Sequence, residues 1–249
     1  MVLYRIALAH PNLRVVFQNP DDLNLFTRRR AVRPGSHTII RGCGVDLEDY
    51  APTPEPPEPA VVLFPARIIG DKGVREFVNA ARMLREEGSD AIFRIAGRLD
   101  ADNPTDIGAE TVRRWQSEGW IQWQGYLTDM PAAFAACRIV CLPSYREGLP
   151  RVLIEAAACG RPIVTTDVPG CREVVQDGGN GILVPARDAN AVADALRILI
   201  ADGSLRQKMG AKGRERAATE FSSERFVAES FDAYRAVLGG ALPVEDQTI

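Results

Sequence analysis

Two glutamates, Glu147 and Glu155, sit eight positions apart in REGLPRVLIEAAACGRP, residues 146–162. Carboxylates serve a site either as proton-transfer groups or as acceptors for hydroxyls. On one continuous helix the pair would span a little over two turns and share a solvated face. Pro150 argues otherwise, because a proline without its N–H suits the first turn of a helix and not the interior. Gly160 suits the position just past a helix end, and Pro162 prevents continuation. The spacing predicts a helix over about 150–159, with Glu147 in the loop at its mouth and Glu155 inside it.

The elements around the pair say where that helix lies. VVLFPA (61–66), IFRIA (92–96), IQWQG (121–125), RIVCLP (138–143), PIVTT (162–166) and GILVP (181–185) are short β-rich runs, most of them continuously apolar. Continuous rather than alternating patterns are those of strands covered on both faces. Helical stripes lie between them, Val74, Phe77, Val78, Ala81 and Leu84 in one, and Val192, Ala195, Leu196 and Leu199 in another capped by Asp188. This alternation predicts an α/β fold, a doubly wound parallel six-stranded Rossmann-like sheet. A charged helix follows near 204–218, then one striped with Val227, Phe231, Tyr234 and Leu238, for which core packing is expected.

In the strand order 3-2-1-4-5-6, ligands bind beyond the carboxyl ends of the first and fourth strands. The loop after the first is ARIIGDKG, carrying Arg67 and Lys72, and the loop after the fourth is PSYREGLP. Two cations would face the N-terminus of the 150–159 helix, which attracts anions by ~0.3–2 kcal/mol. Such a crevice suits a diphosphate, and Glu147 and Glu155 beside it suit the hydroxyls of a ribose or a sugar. No GxGxxG follows the first strand and no GxxxxGK[ST] occurs, so dinucleotide and P-loop chemistry are not indicated.

These residues resemble the C-terminal half of retaining glycosyltransferases of GT-B architecture, glycosyltransferase family 4. The resemblance covers most of residues 39–238. It rests on IIRGCGVD, LFPARIIGDKGV, PSYREGLPRVLIEAAACGRPIVTTDVPGCREVV, NGILVPARDANAVADAL and the closing FSSERF…Y helix. It is similar in finer detail to members that extend polyprenyl-diphosphate-linked glycans. The resemblance implies a nucleotide-sugar donor, UDP-linked, with its diphosphate held by Arg67, Lys72 and amides at Gly148, Leu149, Pro150 and Arg151. It implies that Glu155 bonds the ribose, Glu147 the donor sugar, and that the base lies near Gly97, Gly125, Tyr126 and Leu127. For Tyr126, packing against the sheet edge is an equal alternative. The reaction implied keeps the anomeric configuration and needs no metal or other cofactor. The acceptor implied is a glycan or a polyprenyl-diphosphate-linked glycan, reached through the other domain, with room for peripheral membrane association of the full-length protein.

That other domain is nearly missing. Residues 1–50 read as a remnant of a preceding α/β domain, 51–59 (APTPEPPEP) as a proline-rich linker and 60–222 as the donor domain. Residues 223–240 read as a C-terminal helix and 241–249 as a flexible tail. The chain therefore reads as a fragment, and a nucleotide-sugar binding module without its own transferase activity is the alternative function. A non-hydrolysing sugar-nucleotide epimerase is disfavoured, since its extra acid/base residues are not assembled here.

The totals exclude other classes. Thirty basic and thirty-three acidic residues leave a net charge of -3, with no footprint for nucleic acid. No apolar run approaches the ~20 residues of a membrane span. Two histidines and five scattered cysteines offer no metal set and suit reduced thiols in a cytoplasm. Cys159 and Cys171 are expected as small packing residues, Asp100 and Asp102 as part of a turn-rich loop rather than a metal site, and Arg28–Arg30 as a solvated helix end.

Overall fold

The computed structural model describes residues 2–239; the tail expected over 241–249 lies outside them. The first segment runs α1 (Val2–Ala7), β1 (Val15–Phe17), α2 (Pro20–Arg28) and β2 (His37–Ile39), with β1 and β2 paired in parallel. Asn19 caps α2 by accepting from the Asp22 amide, and Pro20 opens the helix.

The main sheet alternates β3 (Val61–Phe64), α3 (Val74–Glu86), β4 (Ile92–Ile95), α4 (Ala109–Ser117), β5 (Gln122–Trp123) and α5 (Met130–Ala135). It continues with β6 (Ile139–Leu142), α6 (Arg151–Ala158), β7 (Ile163–Thr166), α7 (Cys171–Val174), β8 (Gly181–Val184), α8 (Ala189–Ala201) and α9 (Gly203–Glu220). The six strands lie in the order β5-β4-β3-β6-β7-β8, all parallel, which is the doubly wound order expected. Every residue of β3, β6 and β7 is buried, the packing that continuous apolar strands require. Phe77 of α3 joins Phe64 of β3 and Phe93 of β4, with ring centroids 5.3 and 6.0 Å apart. Asp188 caps α8 as its position predicts, accepting from the Ala191 amide.

The proline-rich segment is fastened to this body. Arg138 donates to the Pro56 carbonyl, Arg161 to Thr53 and Pro54, and Arg206 reaches both oxygens of Glu55. Arg214 closes the series on the carbonyls of Leu47 and Tyr50. Arginines with several N–H groups in a fixed fork can satisfy carbonyls that have no ladder partner.

The last helix corrects an expectation. α10 (Ser223–Leu238) starts on a Ser222 cap and has no buried residue. Val227, Phe231, Tyr234 and Leu238 are exposed, not packed in the core. Helical spacing shows that a face is apolar, but not which surface covers it.

Candidate functional site

The loop after β3 is held from two sides. Ile68 donates to the Arg98 carbonyl and Gly70 to that of Thr105, tying it to the segment after β4. The Tyr145 amide donates to Asp71, tying it to the loop after β6. Gly73 stands where these loops touch: its φ is +74°, and a Cβ there would lie 1.9 Å from the Pro143 carbonyl oxygen. Only glycine fits this approach. The switch point between β3 and β6 is thus a close-packed junction that sets Arg67 and Lys72 opposite the loop from Ser144 to Pro150.

On that loop, Ser144 is buried and its hydroxyl donates to Glu147 Oε1 at 2.6 Å. Lys72 Nζ reaches the same oxygen at 2.6 Å. Thr165 and Thr166 of β7 buttress the loop from below, donating to the carbonyls of Leu142 and Ser144. Gly170, at φ +83°, packs against the carbonyls of Glu147 and Gly148 so closely that any Cβ would collide. Asn19 of the first segment donates to the Gly148 carbonyl at 2.7 Å. The result is a cavity of about 640 Å³ lined by Arg67, Lys72, Glu147 and Gly148 together. Tyr145, Arg146 and Arg187 complete its basic and aromatic wall.

Arg67 makes a second ion pair, with Asp100 at 2.5 Å. The Asp-x-Asp loop therefore has a definite contact through its first aspartate, beyond the turn role expected of it. Arg67 and Lys72 are thus both held by carboxylates, and an anion that binds either must exchange with Asp100 or Glu147.

Helix α6 differs from expectation in one detail. Pro150 is its N-cap, with φ −75° and ψ 104°, rather than its first helical residue. The helix runs Arg151–Ala158, leaving Glu147 in the loop and Glu155 in its second turn. Gly160, at φ +69°, ends it in the left-handed conformation.

Glu155 does not join Glu147 in the larger cavity. It is buried, accepts from Arg151 Nε at 2.7 Å, and faces the Tyr50 hydroxyl. Burial pushes its carboxyl above the ordinary carboxylate range, with Tyr50 and Arg151 opposing that shift. Tyr50 is in turn pushed up to about 12, first by burial and then by the nearby negative charge.

A second cavity of about 370 Å³ adjoins the first through Arg67, which lines both. Gly97, Tyr126, Leu127 and Val152 line it. Tyr126 is 71% exposed, so it does not pack against the sheet edge. Gly97 donates its amide to Gly125 and receives the Trp123 indole N–H at its carbonyl, at 2.7 and 2.9 Å. Both main-chain groups of Gly97 are thus already engaged.

Tyr145 and Arg187 are site residues that the sequence did not single out. Arg187 lies 4.5 Å from the centroid of the Tyr145 ring, and the Tyr145 hydroxyl donates to Glu76 at 2.7 Å. Burial and the Glu76 carboxylate raise the Tyr145 phenol to about 12. Their pairing spans 42 positions of sequence, and no local pattern announces it.

Cys159 and Cys171 are buried, and burial raises both thiols to about 11, so neither is a thiolate nucleophile at neutral pH. Among the described residues no three His, Cys, Asp or Glu side chains gather to hold a metal. Among them, too, no helix is long and apolar enough to cross a membrane.

Comparison with known proteins agrees with this geometry. Residues 47–216 match the family of group 1 glycosyl transferases. A curated relative, the N,N'-diacetylbacillosaminyl-diphospho-undecaprenol alpha-1,3-N-acetylgalactosaminyltransferase of Campylobacter jejuni, is 26% identical across 92% of this chain. The chain spans 61% of that relative's length. Sucrose-phosphate synthase from Thermosynechococcus elongatus superposes with a TM-score of 0.81 and 25% identity, covering 96% of this chain and 62% of its own. Anabaena HepE, solved with UDP and glucose, shares the fold at a TM-score of 0.78 and 21% identity, over 93% of this chain and 67% of its own. The parallel sheet, the cavity at its switch point and the family match converge: this chain belongs to the group 1 glycosyl transferases, of GT-B architecture.

Proposed function

We propose that the chain is the donor-binding part of a retaining hexosyltransferase of glycosyltransferase family 4. It takes a nucleotide-diphosphate sugar, UDP-linked, and serves transfer to a glycan or polyprenyl-diphosphate-linked acceptor. The observation that carries this reading is the convergence of Arg67, Lys72 and Glu147 at one cavity beside the N-terminus of α6. The Campylobacter relative, by its name, acts on an undecaprenol-diphosphate acceptor, and the Anabaena structure holds UDP, which favour that acceptor class and that base.

In this reading the diphosphate replaces Asp100 on Arg67 and Glu147 on Lys72. Once released, Glu147 accepts hydroxyls of the donor sugar, still oriented by the Ser144 hydroxyl. As the glycosidic bond lengthens, charge grows on the departing diphosphate. Arg67, Lys72 and the unpaired first amides of α6 stabilise it, each well-placed donor contributing roughly 3–4 kcal/mol. No enzyme nucleophile is invoked, and retention comes from attack on the face the diphosphate leaves. Glu155 takes the ribose hydroxyls in exchange for Arg151, and its burial makes that exchange specific for a neutral hydroxyl pair.

A second reading is a nucleotide-sugar binding module without turnover, since Glu147 and Lys72 are paired with each other and, among the described residues, no acid/base couple is assembled at the cavity. Calorimetry with UDP, GDP and ADP, then donor hydrolysis and transfer assays, separates the two. Absence of binding to all three nucleotides overturns both readings. Binding without turnover, with turnover in the full-length protein, assigns the chain the donor half of the reaction.

A further inference from the structure

Four basic side chains line the larger cavity: Arg67, Lys72, Arg146 and Arg187. Arg67 pairs with Asp100, Lys72 with Glu147, and Arg146 with Asp22 at 3.6 Å. Arg187 alone of the four makes no salt bridge among the described residues. Its guanidinium rests instead on the face of Tyr145, a contact that leaves its charge without a carboxylate to displace.

Its backbone is also unusual. Arg187 has φ 63°, one of two non-glycine residues with positive φ among the described residues. L side chains rarely adopt that region and glycine does so freely. The next residue is Asp188, fixed as the cap of α8 by its bond to the Ala191 amide, so the turn itself is required by the fold. The loop accepts a strained conformation with a large cation where a glycine would fit more easily. Strain retained beside a cavity points to use of the side chain that bears it.

We propose that Arg187 is a third cationic contact for the diphosphate of the nucleotide sugar, and the first to engage it. This rests on the donor-binding reading of the cavity. Arg67 and Lys72 must each release a carboxylate before touching a phosphate, whereas Arg187 gives up only a ring face. Stacking on Tyr145 leaves the in-plane N–H groups of the guanidinium free, and those groups match two phosphate oxygens at once. Tyr145 is itself held by its hydroxyl on Glu76 and its amide on Asp71, so the platform does not move when the arginine does.

The strain makes a clean test. Arg187→Gly removes the cation and suits the left-handed backbone, so its melting temperature should equal or exceed that of the wild type. Calorimetry should show UDP and inorganic pyrophosphate each binding about tenfold more weakly to it, the loss expected of one charge-assisted contact. Arg187→Lys should recover part of that loss, and Arg187→Asn, whose residue type tolerates positive φ, should behave as the glycine variant does. Unchanged affinity for both ligands in Arg187→Gly overturns the proposal. So does weaker binding accompanied by a lower melting temperature in both the glycine and asparagine variants, which would make the residue structural. If UDP and pyrophosphate affinities hold but UDP-glucuronate loses its standing against UDP-glucose, the guanidinium reads the sugar and the proposal falls. Should the wild type bind pyrophosphate in an Arg187-dependent way but no nucleoside diphosphate, the anion contact stands and the donor reading fails.

Discussion

The sheet from β3 to α9 and the elements that flank it treat their apolar residues in opposite ways. Between Val61 and Phe221, the strands and the inner faces of their helices are closed on one another, with Phe64, Phe77, Phe93 and Phe134 fully buried. On the flanks, Val2, Leu3, Tyr4 and Ile6 of α1 and the stripe of α10 stand exposed. Both regions show amphipathic helices, so the pattern is shared and only its partner differs. A sheet supplies two faces that helices of the same chain must cover, whereas an isolated helix after the last strand has no such obligation. The cavity that matters is built where the closed region is tightest, at the glycine junction of β3 and β6.

The sharpest break of this contrast is a core deletion. Phe64→Ala should cost about 3–5 kcal/mol, read from urea unfolding, because Phe77 and Phe93 cannot both collapse into the space. Next comes the site: Lys72→Met should lower transfer by roughly 100- to 1000-fold in the full-length protein, the scale of one lost charge-stabilising donor. Its fold should survive, since Glu147 keeps the Ser144 hydroxyl.

A smaller effect separates burial from pairing at Glu155. Its folded-state carboxyl titrates above the unfolded one, so the folded state holds the proton more tightly. The stability this group adds is present below the ordinary carboxylate range and is lost as pH rises through its folded value. Urea midpoints across the acidic range should therefore fall for the wild type relative to Glu155→Gln as pH increases. The opposite trend would show that Arg151 and Tyr50 outweigh burial.

The smallest effect is on the flank, where Phe231→Ser should change stability by no more than about 0.5 kcal/mol, as at other exposed positions. A loss near that of Phe64→Ala would show that the stripe of α10 is covered in solution. Thiol labelling gives an independent reading of the same boundary. Cys43 is exposed and should react with a disulfide reagent at once, while Cys137, Cys141, Cys159 and Cys171 should react only on unfolding.

Much of this could be read from the residues, and the reasons are physical. Strands buried on both faces write continuous apolar runs, so β3, β6 and β7 were legible from VVLF, IVCL and IVTT, and their alternation with helices pointed to the doubly wound order. Topology then set Arg67, Lys72 and Glu147 at one place without any contact being known. What the sequence concealed were facts of rotation and of distance in the chain. Glu155 lies on a helix whose residues from Leu153 to Ala158 are all buried, so no polar face marks the direction it points. The Arg187–Tyr145 stack and the Arg67–Asp100 pair join positions far apart, and the side-chain types alone fit many partners. The exposed stripe of α10 carries the same spacing as a buried one, and nothing local tells them apart.

The four arginines on the proline-rich segment change what that segment transmits. Composition describes APTPEPPEP as a joint, yet Arg138, Arg161, Arg206 and Arg214 tether it from Leu47 to Pro56 against β6, the end of α6 and α9. Tension applied upstream of Leu47 would pass into the frame of the sheet instead of being taken up by slack chain. The segment behaves as a rivet line, and a protease seeking an extended strand to seize would find the carbonyls of Pro54 and Pro56 already engaged.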